Sequence, residues 1–209
     1  MPQTRSKHSP VSIAILSRAP VPGQTKTRLI PALGAQGAAD LHRSFLHATV
    51  RTALQANLGP VTLWCTPDTS HPEFTACAAL GPLTLHQQAE GDLGNRMLAT
   101  INGPTLIIGT DCPALSPEHL QQAASALSDN DAVLIPAEDG GYVLIGLRQP
   151  TASIFTDMTW SCASVLAQTR LRLRAAGLRW VEHPALWDVD EPADLPRLAD
   201  FAPELLTPT

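Results

Sequence analysis

The sequence predicts an α/β fold: a single domain with a mostly parallel, mixed sheet and helices on both faces. Short apolar, β-branched runs alternate with longer stretches of helical spacing along the chain. No internal repeat or low-complexity linker interrupts that alternation, and 209 residues amount to about 1.4 average domain lengths. A third observation places function on the fold. The polar loops follow the predicted strands, at the rim where open α/β sheets bind ligands.

Residues 1–10 are expected to be a disordered tail and residues 11–209 the domain. The run 12–16 is a short buried strand closed by a Pro/Gly loop. Across 36–56, Ala39, Leu41, Phe45, Ala48, Thr52 and Leu54 recur near helical spacing and predict a long amphipathic helix. A second strand, 61–66, stops at Pro67-Asp68; a short helix, 73–80, ends at Gly81-Pro82; residues 83–86 are a third strand. Helix 92–101 precedes a fourth strand, 105–108, ended by Gly109. Ser116-Pro117-Glu118 starts a helix to Ser128, with serine as N-cap and proline in the first turn. Strands 132–135 and 142–147 are close neighbours joined through Glu138-Asp139-Gly140-Gly141, a local departure from parallel order. Ser161 is expected to cap a helix ending at Ala176, with Gly177 as its stop. A strand at 178–182 and a helix at 192–201 complete the chain.

Composition narrows the function. Hydrophobic residues make up 44% and charged residues 16%, which is ordinary globular usage. A net charge of −5 without a Lys/Arg run argues against a general nucleic-acid binder. No apolar run approaches the roughly 18 residues of a membrane span, and the N-terminal run lacks a signal peptide's length and cleavage site. Cys65, Cys77, Cys112 and Cys162 include no C-x-x-C pair, so reduced thiols in a cytoplasmic protein are expected. Lysine occurs only as Lys7 and Lys26, and tyrosine only as Tyr142.

Five loops carry side chains suited to chemistry. Ser17-Arg18-Ala19-Pro20-Val21-Pro22-Gly23-Gln24-Thr25-Lys26-Thr27-Arg28 is not a P-loop, because Thr25 stands where that motif needs glycine. Its fixed turns still offer main-chain N–H groups, and Arg18, Lys26 and Arg28 add cationic donors for phosphates; a plain solvated loop has the same composition. Gly109-Thr110-Asp111-Cys112-Pro113 holds a carboxylate where Mg²⁺ or Mn²⁺ would find oxygen ligands, or a turn-capping aspartate. In Trp187-Asp188-Val189-Asp190-Glu191, alternation puts Asp188 and Asp190 on one side of an extended chain, while one of these acids can instead cap the helix that follows. Glu138-Asp139-Gly140-Gly141-Tyr142 is a hairpin turn, or a place where a sugar or phosphate meets main-chain N–H groups and Asp139 binds hydroxyls. Gly91-Asp92-Leu93-Gly94-Asn95-Arg96-Met97 turns into a helix with Arg96 facing either the site or solvent. His42, His47, His71, His86, His119 and His183 lack metal spacing and are taken as core or surface residues. Ser161-Cys162 has no nucleophile elbow around it.

In order, PVPGQTKTRL, GDLGNRM, IIGTDCPALSPEHL, DAVLIPAEDGGYVLIGL, Phe155…Met158…Trp160-Ser161 and DVDEPADL resemble a bacterial family of GT-A-fold, glycosyltransferase-like proteins. That family lies in the nucleotide-diphospho-sugar transferase superfamily. Some members are named as arsenosugar-biosynthesis-type glycosyltransferases, and 2-phospholactate and molybdopterin guanylyltransferases are related. The resemblance implies a Rossmann-like GT-A sheet with nucleotide across its N-terminal half. It places Ser17, Arg18, Gly23, Lys26, Arg28 and Arg96 at the nucleotide and phosphates. Asp111, Asp188 and Asp190 would be metal ligands, and Asp139, Gly140, Gly141 and Tyr142 would line the sugar or acceptor pocket. Lys26, Asp111 and Asp139 would be the catalytic set. The usual glycosyltransferase D-x-D is here Asp111-Cys112-Pro113, so the second acid must come from elsewhere in the chain.

The expected activity is a transferase dependent on Mg²⁺ or Mn²⁺, passing a sugar from a nucleotide-diphospho-sugar to a small-molecule acceptor. A nucleotidyltransferase releasing pyrophosphate, and a nucleotide-binding protein without catalysis, are the alternatives. Intact acids and cations favour chemistry over mere binding, since a binder needs no metal-site acids. Oligomeric state is not fixed by the sequence.

Overall fold

The computed structural model describes residues 10–207, so the expected tail lies, apart from Pro10, outside the described residues. Strands β1 (Ser12–Arg18), β2 (Val61–Thr66), β3 (Leu83–Gln87), β4 (Thr105–Ile108), β5 (Ala132–Pro136), β6 (Tyr142–Leu147) and β7 (Trp180–Glu182) form one sheet. Their order is β3-β2-β1-β4-β6-β5-β7. Only β6 runs against the rest, antiparallel to both β4 and β5. The departure expected around Asp139 is therefore a hairpin whose return strand inserts between β4 and β5. Every other strand ends at the same edge.

The helices are α1 (Ile30–Ala56), α2 (Pro72–Ala78), α3 (Leu93–Ala99), α4 (Pro117–Asp129), α5 (Val165–Ala175) and α6 (Leu195–Phe201). Alternate strand residues point to opposite faces, and the core divides accordingly. Ile13, Ile15, Leu63 and Ile108 pack with Leu46 and Val50 of α1, Phe74 of α2 and Leu120 of α4. Ala14, Ile107, Leu134 and Ile145 pack on the other face with Met97 of α3 and Leu166 and Leu173 of α5. Because both faces are covered, β4 and β5 are buried at every position, which is why they appear in sequence as unbroken apolar runs. A third cluster joins Leu29, Leu41 and Phe45 to Trp187, Val189 and Leu198. It ties α1 and the turn before it to the segment that follows β7.

Several boundaries differ from expectation for local reasons. The long helix starts at Ile30, not 36, but Gly34 at φ 71° breaks it, so the regular helix begins close to the expected place. β1 continues through Ser17 and Arg18, polar residues that pair with Cys65 and Thr66. Ser116 caps α4 as expected, accepting from the His119 N–H, and the His119 ring returns a bond to the Ser116 N–H. Ser161 does not cap α5. It sits at φ 60° in a turn, and the helix starts only at Val165, where the preceding Ser164 makes no side-chain cap. The terminal helix is split into a 3₁₀ turn, Pro192–Asp194, and α6, and a further 3₁₀ turn follows at Pro203–Leu206. The four cysteines are free thiols.

Candidate active site

The loops after β1, β4, β5 and β7 meet at the shared edge, and Lys26 joins those after β1, β4 and β7. Lys26 takes a left-handed backbone, φ 46° and ψ 42°, just before the 3₁₀ turn Thr27–Leu29. Its side chain turns inward and is 4% exposed. Nζ lies 2.8 Å from Asp111 Oδ1 and donates to the Val189 carbonyl, while Asp190 Oδ1 stands at 3.9 Å. The Phe45 ring lies 5.7 Å from the ammonium. The Val189 N–H donates to the Asp111 carbonyl at 2.9 Å. Three loops far apart in sequence are thus joined by one cation and one main-chain bond.

The Asp111 side chain is 46% exposed. Burial weighs against its charge, but Lys26, with His42 and the Thr110 hydroxyl, outweighs that and holds the carboxyl below the ordinary aspartate value. Asp188 has the opposite balance. Burial, then the charges of Asp139 and Asp111, push it up to about 6, with Lys26 opposing. Asp190 is bound by Arg28, which is itself 59% exposed. Beside these groups opens a cleft of about 320 Å³ lined by Arg28, Glu138, Asp139, Trp187, Asp188, Asp190, Glu191, Asp194 and Arg197. Arg197 is held by both Glu138 oxygens, at 2.8 and 3.1 Å, and lies 4.5 Å above the Trp187 ring. Glu191 caps the Pro192–Asp194 turn, as expected of one of these acids, and Asp194 answers it by accepting from the Asp190 and Glu191 N–H groups, which leaves Asp188 free of that task.

The β1 loop is braced from within. Arg18 donates to the Gln24 carbonyl at 3.1 Å, the Gln24 N–H donates to the Val21 carbonyl, and Gly23 supplies a turn at φ 79°. The main-chain N–H groups of Gly23, Thr25, Lys26 and Thr27 meet no acceptor among the described residues. Ser17 is buried and donates to the Arg18 carbonyl.

Other expected site residues have partners of their own. Gly140 lies at φ 93°, and a Cβ there would stand 2.2 Å from the Ala163 carbonyl oxygen. The Gly141 N–H donates to Asp139 Oδ1 at 2.8 Å, an Asx turn that sets the Asp139 carboxylate on the cleft wall. Tyr142 packs in the core of the α3–α5 face with its hydroxyl 3.9 Å from Met97 Sδ, and burial raises its phenol. Asp92 caps α3 through the Asn95 N–H and accepts from Trp160 Nε1 at 3.3 Å. Gly94 lets the Trp160 ring and Phe155 approach its Cα. Arg96 closes the preceding turn by donating to the Gly91 carbonyl at 3.1 Å. His42, taken from sequence as an ordinary residue, proves to be a buried neighbour of the site. Its place among Ala38, Ala39, Leu41, Phe45 and Leu46 on the buried stripe of α1 was the available signal.

The sheet order, the antiparallel hairpin and the edge site together define a fold of the nucleotidyltransferase and nucleotide-diphospho-sugar transferase type. The chain belongs to the DUF2064 family, uncharacterized proteins conserved in bacteria, whose pattern matches residues 49–162. A crystal structure from Desulfovibrio desulfuricans G20, provisionally assigned as a nucleotide-diphospho-sugar transferase, is 30% identical with a TM-score of 0.81, covering 92% of this chain and 88% of that one. The 2-phospho-L-lactate guanylyltransferase of Methanosarcina mazei is 26% identical over 126 residues, or 60% of this chain. The match spans 58% of that enzyme's length. Rv0371c of Mycobacterium tuberculosis H37Rv, solved with manganese, shares the fold at a TM-score of 0.56 and 14% identity, covering 92% of this chain and 99% of that one. Among the described residues no helix is long and apolar enough to cross a membrane.

Proposed function

We propose that the chain is a transferase that takes a nucleoside triphosphate at the carboxyl edge of its sheet and passes the nucleotidyl group to a small-molecule acceptor. The Lys26–Asp111–Val189 junction carries this reading, because it fixes three loops around one ionised carboxylate beside an open cleft. The M. mazei guanylyltransferase supports nucleotidyl transfer. The unengaged amides from Gly23 to Thr27, with Arg18 and Arg28, take the donor's phosphates. Lys26, almost enclosed, works through Asp111, keeping it ionised and in place. Asp139 faces the acceptor side, where it accepts the attacking group's proton or orients its hydroxyl.

The fold family implies a divalent cation, and the acids present fit one in part. Among the described residues no three His, Cys, Asp or Glu side chains are set to hold an ion. Mg²⁺, however, commonly takes one or two carboxylates and completes its shell with substrate phosphate and water. Asp111 and Asp188 suit that demand, since Asp188 makes no ion pair among the described residues and stands against the charges of Asp139 and Asp111, with Lys26 only partly opposing them. Asp190 is already engaged by Arg28. When bound, Mg²⁺ or Mn²⁺ supplies Lewis-acid charge at the phosphate oxygens. The manganese structure of the same fold supports this assignment.

Glycosyl transfer from a nucleotide-diphospho-sugar is the second reading, favoured by the assignment of the D. desulfuricans protein at 30% identity. The released product separates the two. Pyrophosphate from a nucleoside triphosphate supports the first; a nucleoside diphosphate from a nucleotide-sugar supports the second and displaces it.

A further inference from the structure

His42 is a buried titratable group that the proposed chemistry leaves unused. It lies on α1 and is 5% exposed. Its Nε2 stands 2.9 Å from the Arg18 carbonyl oxygen. A carbonyl only accepts, so Nε2 carries the hydrogen and Nδ1 is the bare nitrogen. Nδ1 is buried and meets no partner among the described residues. The ring is therefore fixed by packing and by its Nε2, which meets the Arg18 carbonyl and, at 3.5 Å, the Ser17 hydroxyl.

That bond falls where β1 has lost its partner on one side. β1 pairs with β2 as far as Arg18, but its pairing with β4 ends at Ile15 and Ile108. Side chains supplement the sheet beyond that point. Gln88 donates to the Ser17 carbonyl at 3.1 Å, and His42 and the Ser17 hydroxyl both donate to the Arg18 carbonyl. Partly buried carbonyls are held by these donors, so the bonds set where the chain leaves the sheet. From there the loop turns back to Lys26, whose ammonium lies against Phe45, three residues beyond His42 on the same helix. Helix α1 thus touches the loop at both ends.

We propose that His42 is the positioning residue of this loop: its Nε2–H pins the Arg18 carbonyl and thereby seats Lys26 against Asp111. Burial supports the neutral ring by holding its protonation below the ordinary histidine value, although the Asp111 charge pulls the other way. The effect on donor binding rests on the nucleotide reading above; the seating of Lys26 does not.

Lysine occurs at just two positions, Lys7 and Lys26, so acylation can be followed cleanly. The full chain is treated with an amine-acylating reagent, and labelling of Lys26 is measured by peptide mass spectrometry, with Lys7 as the dose reference. Wild type and His42→Gln, whose side-chain amide offers a donor near the Nε2 position, should protect Lys26 equally. His42→Leu should label about fivefold faster, the size expected for one lost buried hydrogen bond. His42→Asn, whose shorter amide falls short of the Arg18 carbonyl, should follow His42→Leu and serves where the leucine variant does not fold. Wild-type protection in folded His42→Leu or His42→Asn would overturn the proposal, as would equal loss in folded His42→Gln. In the same proteins, GTP with Mn²⁺ should bind more weakly to the Leu and Asn variants than to wild type and Gln. If labelling changes as expected while even wild type binds no GTP, the nucleotide reading fails and the seating stands.

Discussion

The junction around Lys26 and the cradle around Gly94 and Gly140 both contain motifs that resemble the transferase family, yet they are built in opposite ways. At the junction, opposite charges from loops more than 80 residues apart are paired beside a cleft (Lys26 with Asp111, and Arg28 with Asp190). In the cradle, glycines give way to protein. Gly94 admits Trp160 and Phe155, Gly140 admits the main chain of Ala163, and the charge of Asp92 is spent on a helix cap and an indole N–H. The junction keeps part of its charge exposed, with Asp111, Asp190 and Arg28 all more than two-fifths exposed. Elsewhere the same residue types hold the edge in shape.

The contrast is broken most easily at the junction. Asp111→Asn should lower turnover by about 10²–10³-fold, the range seen when one preorganised electrostatic group is removed from a site. The folded fraction, followed by circular dichroism, should hardly change. The cradle should respond the other way round. Gly140→Ala adds a Cβ 2.2 Å from the Ala163 oxygen at a positive φ, and positive-φ strain with overpacking should cost about 3 kcal/mol. Thermal melting should fall by about 6–12 °C for a chain of this size. Gly94→Ala meets its nearest atoms at 2.8–2.9 Å, among them a side chain that can give way, and about 1–3 kcal/mol is expected. Trp160→Phe removes the bond to Asp92 and part of the indole's packing on Phe155, and should cost about 1–2 kcal/mol. Turnover of the folded fraction should survive the last two substitutions; a large loss there would move the cradle into the chemistry.

What the sequence made legible follows from the same physics. The strands were visible because both sheet faces are covered, so β4 and β5 are apolar throughout. Lys26, Asp111, Asp188 and Asp190 could be placed at one edge because each follows a strand. The inward turn of Lys26 could not, since it depends on Val189, 163 residues away. Local serine and proline rules found the cap of α4 and misplaced that of α5, where Ser161 is held in a left-handed turn. His42 was passed over because its partner is a main-chain carbonyl, which no side-chain motif announces.

Binding of a nucleotide's phosphates together with a divalent cation at the Lys26–Asp111 edge is tested most directly by the melting temperature of wild type and Asp111→Asn with nucleoside di- and triphosphates, each with Mn²⁺ or with chelator. A ligand at a hundred times its Kd stabilises by about 2.7 kcal/mol, or about 5–11 °C here. That rise is expected in wild type with Mn²⁺, and its loss with chelator and in Asp111→Asn. No rise with any nucleotide, or an equal rise in all three cases, would contradict that binding.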